Sequence, residues 1–150
     1  MVSPAISWHR TALLLAATLV PVSSLPAATP SAADALKLKP IQAGVDYDTP
    51  TGEPVKKCTI TAIKSKTLSG WEVRDGSGQL LRQFIDSNAD KKVDQWRYYK
   101  DGIEVYRDVD SNHNRKADQY RWLGTAGTRW GVDSNEDGNV DGWKVISAEE

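Results

Sequence analysis

Three short segments of the chain place oxygen-bearing side chains at every second position. They read DSNADKKVD from Asp86, DSNHNRKAD from Asp110 and DSNEDGNVD from Asp133, and their starts are 24 and 23 residues apart. We call them loop 1, loop 2 and loop 3 and number their positions 1 to 9. Repetition at such a short interval predicts three copies of one structural unit rather than three unrelated turns.

Positions 1, 3, 5 and 9 of each loop carry a side-chain oxygen, and position 7 can offer its main-chain carbonyl. Calcium is a hard cation that takes six to eight oxygen ligands at flexible geometry, so this spacing predicts Ca²⁺ sites. Metals that prefer sulfur or imidazole would need more than the one Cys and two His of this chain. The candidate ligands are Asp86, Asn88, Asp90, Lys92 and Asp94 in loop 1; Asp110, Asn112, Asn114, Lys116 and Asp118 in loop 2; and Asp133, Asn135, Asp137, Asn139 and Asp141 in loop 3.

The alternative to cation binding is a polar turn in which Asp and Asn side chains bond to their own backbone. Two further regularities favour cation sites over that alternative. Position 8 is apolar in every loop, and an aromatic residue follows two residues after position 9. Carboxylates crowded this closely would also repel one another without a cation between them.

The three loops differ in the residues that favour calcium. Position 6 is glycine only in loop 3, at Gly138, and loop 2 has just two carboxylates, Asp110 and Asp118. We therefore expect loop 3 to bind calcium most tightly, loop 1 less tightly, and loop 2 weakly or not at all.

The segments between the loops are short alternating runs, which predict β-strands. Tight turns marked by Asp75-Gly76, Asp101-Gly102 and Gly124 to Gly127 alternate with the loops along the chain. The sequence therefore predicts an all-β fold, an antiparallel up-and-down meander of about seven strands with the Asp/Asn loops on one edge. A barrel-like or sandwich form, in which the meander rolls up on itself, is the alternative.

The Asp101-Gly102 turn predicts which side chains share a face. With these two residues at the tip, Lys100 pairs with Ile103, Tyr98 with Val105 and Trp96 with Arg107. Extending the alternation also assigns Trp122, Trp130, Val132, Trp143 and Val145 to an apolar face, and Arg121, Arg129 and Lys144 to a polar face. What covers the apolar face cannot be read from the pattern.

The N-terminal third divides into an export signal and a connection. Residues 1–35 are predicted to be a signal peptide, because His9 and Arg10 precede the apolar run TALLLAATLV and small residues follow up to Ala33 or Ala35. Residues 36–54 read as a linker or arm, and residues 55–150 as the repeat domain. Because no lipoprotein-type signal precedes Cys58, we expect a secreted, periplasmic or envelope protein without a membrane span in its mature part.

The loops resemble the Asp-rich calcium loops that connect strands in integrin-type propeller repeats, and they resemble EF-hand loops only in their first residues. An EF-hand requires a Glu at position 12, where this chain has Arg97, Arg121 and Lys144. From about Val45 to Glu150 the chain is similar to a group of exported planctomycete-type bacterial proteins with DxNxDGxxDxW repeats. The resemblance implies a calcium-loop module, or a non-catalytic fragment of a longer exported protein, and implies no reaction.

The remaining features bear on function class. The formal net charge of −1 excludes a strongly basic surface, so we expect no nucleic-acid partner. The sequence offers no histidine base for Cys58, and it contains no other nucleophile–base set and no phosphate loop. We therefore expect no enzymatic activity. A structural, adhesion or envelope-interaction role is the first hypothesis. A carbohydrate-binding module that uses Tyr99, Tyr106 and the arginines of the polar face is the alternative, with an envelope glycan or protein as the partner.

Overall fold

The strands form one antiparallel sheet in which each strand pairs with its neighbour in the sequence. The computed structural model describes residues 30–147, and its sheet has eight strands in the order β1 to β8. A short helix α1 (Ala32–Ala35) and a 3₁₀ helix (Glu53–Lys57) precede them. The strands are β1 (Thr59–Lys64), β2 (Ser69–Arg74), β3 (Leu80–Asp86), β4 (Gln95–Lys100), β5 (Ile103–Val109), β6 (Gln119–Gly124), β7 (Gly127–Val132) and β8 (Gly142–Ser147).

The predicted all-β meander is confirmed, with eight strands rather than about seven. Loops 1, 2 and 3 connect β3 to β4, β5 to β6 and β7 to β8, so all three lie on the same rim of the sheet. The rolled-up alternative is wrong, because β1 and β8 are the outer strands and are not paired with each other. Within the described residues no helix is long and apolar enough to cross a membrane.

The turn between β4 and β5 forms for the reason that its sequence suggests. Asp101 and Gly102 both have positive φ, of 50° and 75°. A two-residue turn of this hand matches the twist of the flanking strands, and Asp-Gly tolerates it better than most residue pairs. Lys100 pairs with Ile103 as expected.

The predicted pairing fails two residues farther from the turn. The register shifts between Tyr98 and Tyr99, so Tyr98 lies opposite Tyr106 rather than Val105. Such a bulge adds one residue to one strand and exchanges the faces beyond it. As a result Tyr106 lies on the same face as Tyr98 and is completely buried, with 0% of its surface exposed.

The face assignment of β7 is also the reverse of the prediction. Arg129 lies opposite Trp122, whereas Trp130 lies opposite Arg121 and Lys144. Trp130 is therefore on the polar face, where the Arg121 guanidinium lies 4.4 Å from its ring centroid. Large aromatic rings occupy both faces of β6 to β8, and cations cover them on each face.

The apolar face is covered by the chain that precedes the sheet. Ala35 and Leu36 form one buried cluster with Val73, Leu81 and Phe84. The arm, residues 36–54, supplies Val45 and Tyr47 to a second cluster that contains Tyr98, Tyr106, Ala117 and Tyr120. We call the covered side of the sheet the arm face. The arm and α1 are therefore what covers the apolar face of the sheet.

Arg82 fastens the arm to the sheet. Its side chain is fully buried, and it donates to the Asp48 carbonyl at 2.7 Å and to the Thr49 hydroxyl at 3.0 Å. Its guanidinium also lies 4.5 Å from the ring centroid of Tyr47 and 5.2 Å from that of Tyr98. A buried cation is costly unless it is hydrogen-bonded and stacked in this way, so the arm and Arg82 depend on each other.

The predicted signal peptide lies almost wholly outside the described residues. The two predicted cleavage points, after Ala33 and after Ala35, fall within or directly after α1. Ser31 caps α1 by accepting from the N–H of Asp34, and Ala35 is buried in the first cluster. The signal peptide stays a prediction.

Candidate functional site

The three loops share one backbone conformation. Positions 4 and 6 have positive φ in every loop: 64° at Ala89 and 69° at Lys91, 61° at His113 and 80° at Arg115, and 58° at Glu136 and 90° at Gly138. Residues with a Cβ rarely adopt this region, and doing so costs about 1 kcal/mol or more each. The loops therefore keep one shape even where the sequence does not favour it.

Position 1 organises each loop from the inside. Asp86, Asp110 and Asp133 are all buried. Asp110 accepts from the N–H groups of positions 5 and 6 at 3.1 and 2.7 Å, and Asp133 does the same at 3.2 and 2.8 Å. Asp86 accepts from the N–H of Lys91 at 2.9 Å and from the Ser69 hydroxyl at 3.0 Å.

Positions 3 and 5 continue the same turn. The Asn oxygen at position 3 accepts from the N–H of position 5 at 3.0, 3.1 and 3.0 Å in loops 1 to 3. The position 5 side chain then accepts from the N–H of position 7 at 2.8, 2.9 and 2.8 Å. Five of these six oxygens make one hydrogen bond and keep a further lone pair, whereas the Asp137 Oδ1 also accepts from the side-chain amide of Asn139 at 3.0 Å.

Position 9 closes each loop. Asp94, Asp118 and Asp141 accept from the N–H of the serine at position 2 at 2.8, 2.9 and 2.8 Å. Their own N–H groups donate to Ile85, Val109 and Val132 at the end of the preceding strand. The structure therefore gives position 9 a closing role, and its predicted role as a metal ligand stays a prediction.

Adjacent loops are linked through main-chain and side-chain contacts. The N–H of Asp110 donates to the carbonyl of Asp94 at 2.8 Å, and the N–H of Asp133 donates to that of Asp118 at 2.9 Å. Glu136 of loop 3 accepts from the side-chain amides of Asn112 and Asn114 at 2.8 and 2.5 Å. A third carboxylate thus lies over loop 2, which the pattern within loop 2 alone does not reveal.

His113 of loop 2 makes the corresponding contact with loop 1. Its Nδ1 lies 3.2 Å from a carboxylate oxygen of Asp94. The hydrogen bond to Asp94 raises the pKa of His113 above its ordinary value, partly opposed by desolvation. The position 4 side chains of loops 2 and 3 therefore each contact the loop that precedes them.

Position 8 points into the protein, as its apolar character predicts. Ala117 is buried in the second cluster, Val93 packs against the first cluster, and Val140 packs against the second. A Cβ built on Gly131 would lie only 2.8 Å from a methyl group of Val140, so Gly131 makes room for this contact. Each loop is thus anchored to the core by one side chain.

The donor set of loop 1 includes an oxygen that has no partner. Asp86 is only 4% exposed, and its Oδ1 accepts no hydrogen bond. Burial acts to raise the pKa of Asp86, but hydrogen bonds from Ser69 and from the N–H of Lys91 outweigh it and lower that pKa. A buried, ionised and unpartnered oxygen is a group that a cation would satisfy, so loop 1 fits a hard metal ion.

The carboxylates themselves do not converge. Among residues 30–147, no group of three or more His, Cys, Asp or Glu side chains is placed to hold a metal ion. Each loop instead has Asn or Asp oxygens at positions 3 and 5 beside its position 1 carboxylate, and position 9 is turned toward position 2. Any cation would therefore draw on mixed oxygen donors.

The two tyrosines that were predicted to bind carbohydrate are buried. Tyr99 is 6% exposed and Tyr106 is buried, so neither can stack on a sugar at the surface. The Tyr106 hydroxyl instead donates to Asp108 at 2.6 Å. The carbohydrate-binding alternative would therefore have to rest on the arginines of the polar face, and it stays a prediction.

Cys58 has the environment of a structural thiol. Its Sγ donates to the Pro54 carbonyl at 3.5 Å. Desolvation, with a smaller contribution from the charge of Asp75, raises its pKa, which disfavours the reactive thiolate.

Asp108 is a buried charged residue that sequence reasoning did not single out. It lines a cavity of about 410 Å³ between the arm and loops 2 and 3. Burial raises its pKa to about 6, although it accepts from Tyr106 and from the N–H of Ile41. The alternation of β5 predicts a surface side chain here, and the bulge at Val105 turns Asp108 inward.

The chain matches no family model, no curated protein and no solved structure. The function proposed below therefore rests on the loops and the sheet that carries them.

Proposed function

We propose that this protein is an exported, calcium-binding repeat module with a structural, adhesion or envelope-interaction role and no catalytic activity. The observation that carries the proposal is that three loops repeat one strained conformation around the same oxygen donors. Lys91 and Arg115 adopt positive φ at position 6, where Gly138 does so without strain. Strain that is retained at equivalent sites favours a role for the shape itself.

The residues that would hold the ion are the side chains at positions 1, 3 and 5 and the carbonyl at position 7. Bound calcium would supply positive charge among the carboxylates and connect the two strands that each loop joins. Because such an ion binds the folded state only, it would stabilise the fold by mass action. The side chains already hold the backbone in place through the hydrogen bonds described above.

We also propose that the protein works outside the cytosol. Extracellular calcium modules have dissociation constants of about 10⁻⁴ to 10⁻³ M, which suits occupancy outside the cell and not in the cytosol. The predicted signal peptide supports the same location. The partner is proposed to be an envelope glycan or protein.

Equilibrium dialysis against millimolar calcium tests the proposal directly. Wild-type protein is expected to retain calcium, and Asp90→Asn and Asp137→Asn are each expected to lose affinity at their own loop. These side chains are exposed and can keep their bond to the N–H of position 7 after the change, so the fold should survive. A matched control is Asp101→Asn, in a turn on the opposite rim.

The order of affinities is tested by calorimetry of Asp133→Ala and Asp110→Ala. The first should remove the tightest site, and the second should leave most of the binding heat unchanged. Equal losses in both variants would contradict the order, and the Glu136 contact with loop 2 would then be the first place to look for the reason. Wild-type protein that retains no calcium in dialysis would overturn the proposal as a whole.

A further inference from the structure

The outer edge of β8 presents both main-chain groups and apolar side chains. β8 pairs with β7 over six residues on one side. In the described part of the chain no strand lies on its other side. Trp143, Val145 and Ile146 are 52%, 73% and 53% exposed. An exposed apolar edge strand is a template for pairing with another strand.

A row of aromatic and cationic side chains on the arm face ends at this edge. The ring centroids of Trp122 and Trp143 lie 5.3 Å apart. The Arg129 guanidinium lies 5.4 Å from the first ring and 4.8 Å from the second. Half of the Trp143 surface remains open, so a further cation can pack on the side away from Arg129.

The other outer strand complements β8. β1 has the same length of six residues and runs antiparallel to β8, because odd and even strands alternate in direction. On its arm face it carries Ile60, Ala62 and Lys64, as the pairing of Ile60 with Val73 and of Ala62 with Trp71 shows. Ala62 and Lys64 are exposed.

We propose that β8 of one copy pairs with β1 of a second copy, head to tail, and so continues the sheet from molecule to molecule. Matching the faces and the loop rim fixes the register: Trp143 opposite Lys64, Val145 opposite Ala62, and Ile146 opposite Thr61 of the second copy. Lys64 would then extend the row of Trp122, Arg129 and Trp143 by one more cation. The buried pair at the centre is Val145 with Ala62.

Charge complementarity favours this partner over a symmetric one. Asp141 directly precedes β8, whereas Lys64 ends β1 and Lys66 follows it closely. In the head-to-tail register these opposite charges come to the same end of the joint. A β8-to-β8 pairing centred on Lys144 would instead oppose two lysines.

A head-to-tail contact does not close on itself, so it builds a growing array rather than a dimer. The loops would then lie along one continuous rim, because the turn between β1 and β2 lies on the same rim as the loops. This inference concerns the strand edges alone. It can therefore fail or succeed independently of calcium binding.

Sedimentation analysis of the purified chain over a range of concentrations tests the inference. Wild-type protein is expected to associate with increasing concentration beyond a dimer. Val145→Lys and Ala62→Lys should each weaken association at least about tenfold, because each places an ammonium group in the apolar centre of the joint. The control Ile103→Lys alters an equally exposed residue at the opposite rim and should associate as wild type does.

Mixing the two variants provides the sharper test. Val145→Lys keeps an intact β1 edge, and Ala62→Lys keeps an intact β8 edge. Each alone should stay monomeric, and an equimolar mixture should form one-to-one dimers that grow no further. Circular dichroism of each variant should match the wild type, which separates loss of the contact from loss of the fold.

The remaining outcomes overturn the inference. Association of both variants at wild-type strength would place the contact elsewhere, for instance on residues 1–29. Dimers of Ala62→Lys alone would show a symmetric β8 pairing. Wild-type protein that is monomeric at every concentration would show that the edge binds no second copy.

Discussion

At the scale of single residues, the buried carboxylates divide into two kinds. Asp86, Asp110 and Asp133 at position 1 accept hydrogen bonds from the N–H groups of their own loops. Asp108 lies two residues before loop 2 and has a raised pKa of about 6 because it is buried. The first kind shapes the loops, and the second makes the fold sensitive to pH.

The pH dependence of Asp108 has a definite sign. Its folded pKa of about 6 lies above the ordinary value of 3.8, so its contribution favours folding most below pH 4 and is lost as the pH rises through 6. Asp108→Asn removes this titration. Relative to wild type, the variant should gain about 2 kcal/mol of unfolding free energy between pH 4 and pH 7, measured by urea unfolding.

Asp75 supplies a control of opposite sign. Hydrogen bonds from Ser77 and from the N–H of Gln79 lower its pKa. Its contribution is therefore present above the unfolded pKa and is lost as the pH falls. Asp75→Asn should lose stability relative to wild type as the pH rises, and the same trend in both variants would contradict the assignment of Asp108.

At the scale of structural elements, the backbone of each loop depends on position 6. Gly138 has a φ of 90°, and a Cβ added there would meet no atom within 4 Å. The cost of Gly138→Ala is therefore a backbone cost, expected to be about 1 kcal/mol of unfolding free energy.

Gly142 is the matched control for this prediction. A Cβ at Gly142 also meets nothing within 4 Å, but its φ is not in the positive region. Gly142→Ala should change the unfolding free energy by less than about 0.5 kcal/mol. Equal effects at the two glycines, measured by urea unfolding without calcium, would show that positive φ at position 6 carries no cost.

The elements also show which parts of the structure a sequence can predict. Loops, tight turns and strand order follow from local patterns, because Asp-Gly turns and alternating runs act over a few residues. The bulge in β5 does not follow from them, since Ile103-Glu104-Val105-Tyr106 alternates regularly on its own, yet Val105 is the extra residue opposite Tyr98 and Tyr99. The extra residue, Val105, places Tyr106 and Asp108 on the buried face of the sheet, opposite to the predicted face.

Contacts between distant segments were the other part that the sequence did not predict. The arm reads as a linker because its prolines and polar residues form no periodic pattern. It is held on the sheet by residues far along the chain, among them Arg82, 34 residues beyond Asp48, and Tyr99, whose carbonyl accepts from the N–H of Asp48. An arginine in an alternating strand suggests a solvent-facing position, and its burial depends on the arm, which supplies hydrogen-bond acceptors and the ring of Tyr47.

At the scale of the whole molecule, the arm is the second layer that a single open sheet requires. Arg82→Leu keeps the apolar bulk of the side chain and removes its bonds to Asp48 and Thr49. We expect a loss of about 3 kcal/mol of unfolding free energy and faster hydrogen exchange in residues 45–50.

A control at a partly exposed arginine separates the loss of the bonds between Arg82 and the arm from the general effect of removing a positive charge. Arg121→Leu removes a guanidinium that packs on Trp130 on the opposite face. It should cost about 1 kcal/mol and leave exchange in the arm unchanged. Unchanged exchange in Arg82→Leu would contradict the role of Arg82 in holding the arm.

The central claim is that the oxygen-lined loops on one rim, loop 3 and loop 1 above all, bind calcium and join the hairpins of the sheet. Thermal unfolding of the purified chain, first in EDTA and then with millimolar calcium, tests it most directly. We predict a rise of several degrees in the melting temperature with calcium, reversed by adding chelator, because an ion held only by the folded state stabilises it. The same melting temperature in EDTA and in calcium, with no ion bound to the folded protein, would contradict the claim.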